Sequence, residues 1–216
     1  MTAPRSYGQN CSLARAMDLL GERWTLLIVR ELARGPKRFG DLYDGLTGVG
    51  TTMLAARLKR LEAAGVIARS DRATGSSGYQ LTARGEQLAH ALGELMLWGL
   101  DLPGMYQPQD QSRAVWLAMN MQAALERAEE PPPPGTYAFH VGAERFWLHV
   151  DDGAHPVLRD GTPPYSADAT LTITLEDLHA LAGGTPLDDL TATIEGDRSR
   201  LVGVLGVFKI PSATGR

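Results

Sequence analysis

Residues 51–81 read TTMLAARLKRLEAAGVIARSDRATGSSGYQL, and this stretch decides the fold of the first half of the chain. Leu54, Leu58 and Leu61 share one face of a helix, with Thr51 as a favourable N-cap and Gly65 as a favourable residue just past the end. At 100° per residue Thr52, Met53, Ala56 and Arg60 point the other way, with Arg57 and Lys59 at the edges. That outward face is short-chained and basic, as the leading turns of a helix must be to enter a B-form major groove. A solvated amphipathic helix would look the same. The next residues favour the first reading. VIARSDRATGSSGYQLT predicts a strand, a polar loop and a second strand from Tyr79 to Leu81, a hairpin over 66–81. Its residues Arg69, Arg72, Ser76 and Ser77, against the single acid Asp71, suit a phosphate backbone. Such contacts set register and affinity while the helix reads sequence.

Working outward, FGDLYDGL (39–46) places Phe39, Leu42, Tyr43 and Leu46 at i, i+3, i+4 and i+7, a short amphipathic helix preceded by Arg38, a further phosphate candidate. The glycines of GVG (48–50) then make the turn of a helix-turn-helix. From Cys11 to Leu32 the apolar residues recur at helical spacing around Gly21, which predicts two helices or one kinked helix. After Thr82, ARGEQLAHALGELMLWGL lays Leu88, Leu92, Leu95 and Trp98 along one stripe, widened by Ala91 and Met96. Two readings stand for that stripe: packing against the opening helices, or a two-fold interface shared with the opening helix. A two-fold protein expects a two-fold operator, with half-sites about 34 Å or a multiple apart.

The stretch CSLARAMDLLGERWTLLIVRELARGPKRFGDLYDGLTGVGTTMLAARLKRLEAAGVI, followed by GYQLTARGEQL and Trp98, resembles the HxlR-type winged-helix transcription regulators, relatives of the MarR group. The likeness covers about residues 11–99 and rests on Cys11, the GERWTLLIVREL run, the L-x3-L-x2-L-E-x2-G spacing and YxLTxRG. Family members commonly carry Gly-Lys-Trp where this chain has Gly21-Glu22-Arg23-Trp24. The resemblance implies a dimerising, DNA-binding domain. It also implies two roles for Cys11: an N-terminal cysteine that senses oxidants or electrophiles, or, on the residue alone, a buried small apolar side chain at a helix start.

Charge divides the 216 residues. Residues 1–100 hold 13 Lys plus Arg against 9 Asp plus Glu, and residues 101–216 hold 8 against 16. LPGMYQPQDQ near 102–111 and the proline run 131–134 mark joints. The expected organisation is therefore a winged-helix domain over 1–101, a linker over 102–111 and a second domain over 112–216, α+β as a whole. SRAVWLAMNMQAALERAEE predicts a helix of about five turns capped by Ser112. The pattern then alternates: Phe139 and Val141, Phe146, Leu148 and Val150, then Leu171, Ile173 and Leu175 opposite Thr170, Thr172 and Thr174. Asp152-Gly153 is a tight-turn pair, Thr174 and Asp177 can cap a helix together, and LTATIEGD is another strand. A last helix carries Leu201, Val204, Leu205 and Phe208.

The order SADATLTITLEDLHALAGG, LDDLTATIEGD and a terminal apolar helix resembles the sterol-carrier-protein type of lipid-binding domain over about 112–212. That resemblance implies a five-stranded sheet with helices around an apolar tunnel. Phe139, Phe146, Leu148, Leu171, Ile173, Leu201, Leu205 and Phe208 would line it, with a small hydrophobic or lipid-like effector as ligand. Each of these residues equally suits a plain core.

Enzyme chemistry finds no footing. Asp151-Asp152 and Asp188-Asp189 are adjacent residues beside turns, His140 and His149 have no metal-ligand spacing, and neither a phosphate-cradling glycine loop nor GxSxG occurs. One cysteine among 216 residues excludes an internal disulfide, and no cofactor is expected. No apolar run approaches the roughly 18 residues of a membrane span, and MTAPRSYGQN lacks the order of a secretory signal, so the expectation is a cytoplasmic protein without membrane contact. The expected function is transcription regulation by a homodimer on double-stranded DNA. Two alternatives are a second domain that serves only assembly or protein contacts, and an enzyme acting on a hydrophobic substrate.

Overall fold

Gly21 splits the opening apolar pattern into two helices, α1 (Ser12–Leu20) and α2 (Thr25–Ala33). The computed structural model describes residues 6–71, 77–100, 102, 110–152 and 156–207, and the chain forms two units, Met1–Leu92 and Gly93–Arg216. In the first, α3 (Phe39–Gly45) and α4 (Thr51–Ala63) precede an antiparallel pair, β1 (Ile67–Asp71) and β2 (Ser77–Leu81). Helix α5 (Ala83–Leu100) follows, its residues from Gly93 belonging to the second unit. The linker expected at 102–111 lies largely outside the described residues.

Leu54, Leu58 and Leu61 are buried, as are Ile28, Leu32, Leu42 and Ile67, so the α4 stripe faces the core. Burying a leucine side chain contributes about 1.5–3 kcal/mol, and three on one helix fix its rotation. The N-cap is Gly50 rather than Thr51: the Gly50 carbonyl accepts the Leu54 N–H at 2.9 Å, which makes Thr51 the first helical residue. The C-terminus closes as predicted. Gly65, at φ 68, donates to the Glu62 carbonyl while Val66 N–H reaches Leu61, both at 3.0 Å, the paired bonds of a Schellman ending.

The YxLTxRG run has a physical reading. Tyr79 is buried on β2 and exchanges backbone hydrogen bonds with Lys37, which ties the hairpin to the α2–α3 connection. The Thr82 hydroxyl accepts the Gly85 N–H at 3.2 Å at the start of α5. A Cβ at Gly85 would lie 2.2 Å from the Val66 carbonyl oxygen, so only glycine lets α5 approach that backbone.

In the second unit α6 (Ala114–Glu126) is shorter than the predicted five turns. Its N-cap is Arg113, not Ser112, whose hydroxyl instead bonds His179 Nε2 at 2.8 Å. Glu144 takes over the capping, accepting the Ala114 N–H at 2.8 Å. A five-stranded sheet follows, from β3 (Gly135–Val141), β4 (Glu144–Val150), β5 (Val157–Asp160), β6 (Ala169–Ile173) and β7 (Ala192–Gly196), in the order β5-β4-β3-β6-β7. Only β3 and β6 pair in parallel. Helix α7 (Leu175–Ala182) begins with the predicted Thr174–Asp177 cap, the hydroxyl accepting the Asp177 N–H at 3.0 Å. Helix α8 (Arg198–Leu205) is capped by Asp197. Gly153, of the predicted tight turn, and Phe208 lie outside the described residues.

Register places Tyr137, Phe139, Phe146, Leu148 and Leu171 on one face of the sheet, each at most 1% exposed. The fold is α+β: a helical unit with a two-stranded hairpin, then a mixed sheet with helices.

Gly85→Ala should cost about 1–3 kcal/mol in urea unfolding, because the methyl must displace backbone. Leu58→Ala, by the cavity it leaves, should cost about 2–5 kcal/mol.

Candidate nucleic-acid interface

Thr51, Thr52, Met53, Ala55, Ala56 and Lys59 of α4 are exposed, while Leu54, Leu58 and Leu61 point inward. Short side chains thus crown the first turns, with one cation further along. Gly48, at φ 88, and Gly50 shape the turn that presents them. Arg38 is exposed at the N-cap of α3, its backbone N–H donating to Asp41 at 2.8 Å.

Arg57 and Arg60 do not project as the helical arithmetic predicts. Both fold back onto the α1–α2 turn. Glu22 pairs with Arg57 through one carboxylate oxygen and with Arg60 through the other. Arg57 Nε also donates to the Arg23 carbonyl at 3.3 Å, and Arg60 donates to the Asp18 carbonyl. Their side chains keep 16% and 27% exposure. The physical reason is reach: a long guanidinium stem on the rim of the helix finds a carboxylate and a helix-terminal carbonyl on the neighbouring element, which no periodicity displays.

The hairpin reads partly as expected. Arg69 on β1 is exposed and stacks over the Tyr79 ring at 4.3 Å, while pairing with Glu62 at 3.4 Å. Its charge is therefore shared along the strand rather than carried at the tip. Arg72 and Ser76 fall outside the described residues, and Ser77 is described only as backbone of β2.

The α5 stripe divides. Leu92 is buried within the chain, whereas Leu95 is 46% and Trp98 63% exposed. Leu88 lines a groove of about 640 Å³ with Ala16, Leu19, Leu20, Ala63 and Val66. Leu13, on α1, is 67% exposed.

Cys11 is exposed, so the buried-cysteine reading is corrected. It occupies the N-cap of α1, where the backbone N–H groups of Ala14 and Leu13 at the helix start favour the thiolate and hold its thiol below the ordinary range, without a side-chain cap hydrogen bond. Sequence reading missed Glu31 altogether. Its carboxylate, 1% exposed, meets Arg34 at 2.6 Å and Arg30 at 3.0 Å. Burial pushes this carboxyl up, but Arg34, Arg30 and Lys37 together outweigh burial and leave it lowered. Neither acidity nor spacing marks Glu31 as an inward residue in a run of apolar ones.

The second unit gathers its apolar candidates. Phe139 and Phe146 stack at 5.2 Å, and Leu148, Leu171, Ile173, Leu201 and Leu205 are all buried. One carboxylate of each adjacent pair is engaged: Asp151 accepts from His149 Nε2 at 2.7 Å and Asp188 pairs with Arg198. His149 Nδ1 meets Thr136 rather than His140. Among the described residues no cluster of His, Cys, Asp and Glu could hold a metal, and no helix is long and apolar enough to cross a membrane.

A helix-turn-helix with an exposed, short-chained face on its second helix and an adjoining hairpin is the architecture of a DNA-binding domain. A model of the HxlR-like helix-turn-helix family matches residues 19–105. An uncharacterized HTH-type transcriptional regulator of Synechocystis sp. is 36% identical over 96 residues, 44% of this chain and 71% of the relative. The HTH-type transcriptional regulator YodB of Bacillus subtilis is 35% identical over 85 residues, 38% of this chain and 76% of the relative. A Mycobacterium tuberculosis regulator of the same type is 43% identical over 93 residues, 41% of this chain; the match spans 56% of that relative. The chain belongs to the HxlR-like family of helix-turn-helix transcription regulators.

Cys11 should be alkylated by iodoacetamide with a half-maximal pH below that of a free cysteine peptide, since its thiolate forms earlier; a coincident profile would contradict a lowered thiol at the helix start. Glu31→Gln should destabilise at neutral pH. Because the folded carboxyl is lowered, the difference from the parent should be complete above the usual carboxylate range and shrink as acid titrates it.

Proposed function

We propose that this DNA-binding regulator acts as a homodimer on a two-fold operator, with each α4 in a major groove and each hairpin along the adjoining backbone. The observation that carries the reading is the exposed Thr51–Ala56 surface, oriented by the buried leucines of the same helix. Thr52, Met53 and Ala56 supply methyl and hydroxyl contacts to base edges, while Lys59, Arg38 and the hairpin meet phosphates. Leu95, Trp98 and Leu13 support the dimer, because large apolar side chains this exposed are expected where a partner covers them.

The second unit is proposed to bind a small hydrophobic molecule. A five-stranded sheet with helices α6, α7 and α8 among its described residues supports that reading, since a sheet with helices is what the sterol-carrier resemblance implies. A ligand regulates only by preferring one dimer geometry, and a tenfold change in occupancy takes about 1.4 kcal/mol of preference. The close stacking of Phe139 on Phe146 favours a second reading, a filled core serving assembly alone.

Lys59→Ala should flatten the dependence of log affinity on log salt by about 0.9 for a duplex containing the site, and Met53→Glu should abolish binding. Trp98→Glu with Leu95→Glu should convert a dimer to a monomer in light scattering; a parent that is already monomeric at micromolar concentration overturns the two-fold reading. Thermal denaturation against fatty acids and aromatic compounds separates the two readings of the second unit. A saturable rise in Tm supports a pocket, and no rise across the panel supports a filled core.

A further inference from the structure

The turn between α1 and α2 carries local costs. Trp24 sits at φ 80, the single non-glycine residue with positive φ among the described residues. For so bulky a side chain this is an outlier, costing of order 1–3 kcal/mol. The adjacent Thr25, 1% exposed, has a hydroxyl without a hydrogen-bond partner among the described residues. Such strain persists where surrounding contacts over-determine a geometry, and here those contacts converge on α4. The Trp24 ring lies 3.8 Å from where a Cβ on Gly48 would stand, against the turn that leads into α4. Glu22 grips Arg57 and Arg60, and the Arg23 and Asp18 carbonyls take further N–H groups of the same two side chains.

We propose that Glu22 is a specificity-determining positioning residue, a latch that holds Arg57 and Arg60 off the phosphates so that α4 is read through Thr51, Thr52, Met53 and Ala56. The proposal rests on the assignment of α4 as the reading helix. An arginine that neutralises a phosphate strengthens binding to every sequence alike and adds about 0.9 to the salt slope. Withdrawing two of them lowers the sequence-independent part of the affinity and leaves the base contacts in place. The phosphates and Glu22 compete for the same donors. The carboxylate engages both guanidiniums at once, and backbone carbonyls hold each a second time, so the latch is the stronger holder.

Titrations of the 216-residue chain by fluorescence anisotropy, on a random-sequence duplex and on a duplex selected from a random pool, test this. Glu22→Gln should bind the random duplex more tightly, steepen its salt slope by about 0.9 to 1.8, and narrow the preference for the selected duplex. Arg57→Ala and Arg60→Ala should leave the parent slope within about half a unit, yet return the Glu22→Gln slope to the parental value. A Glu22→Gln slope equal to the parent's, with or without a lower Tm, overturns the latch. So does a fall of about 0.9 on Arg57→Ala in the parent, since that arginine would already be on a phosphate. Binding with an unmoved slope sinks the latch alone; no duplex binding by any variant at low salt sinks the reading of α4 and the latch with it.

Discussion

The burial of Leu54, Leu58 and Leu61 is the constraint on which the regulator's first unit depends. A helix has one rotational freedom about its axis, and three leucines on one stripe remove it. Once they face the core, Thr51, Thr52, Met53, Ala55 and Ala56 have no choice but to face solvent. The exposed face of α4 is thus a by-product of hydrophobic packing. The turns at each end then locate the helix: Gly48 and Gly50 before it, the Gly65 ending after it, and Gly85 letting α5 approach the backbone at Val66.

Electrostatics works on that scaffold in an unexpected sense. The first half of the chain is basic, but several of its cations are spent internally. Arg57 and Arg60 are held by Glu22, Arg34 by Glu31, and Arg69 by Glu62 and the Tyr79 ring. Net charge therefore overstates what a duplex meets. A buried pair such as Glu31–Arg34 adds little net stability over an apolar substitute, yet breaking it strands a charge, so it acts more on uniqueness than on depth of the fold. On the proposed assignment of α4, an interface with fewer free cations would rely more on shape and base contact.

The second unit follows a different logic. Its sheet buries one face, with Phe139 paired to Phe146 and Leu171 across three neighbouring strands, and Thr136 and Ala138 bury part of the other face of β3 as well. Its helix ends are closed by side chains distant in sequence as well as near. Thr174 and Asp197 cap their own helices, whereas α6 borrows Glu144 from β4. That borrowed cap, thirty residues away, explains why Ser112 was a misleading start signal: Ser112 has the right chemistry, but its hydroxyl is engaged by His179.

Local rules alone determined a good deal of this protein. Helical spacing marked the break at Gly21, leaving two helices or one kinked helix open, and oriented α4; alternation and turn residues found the hairpin and the sheet; and Thr174 with Asp177 announced α7. These features depend on residues within a few positions of one another, which is the range over which periodicity and capping operate. What only tertiary structure decided were the partners of long side chains and the exposure of single residues. Glu22 reaches Arg57 and Arg60 across more than thirty positions, Leu92 is buried while Leu95 and Trp98 on the same stripe are open, and Cys11 is exposed. A side chain that spans several ångströms can choose among neighbours that the fold alone brings near, and nothing in its own stretch of sequence records that choice.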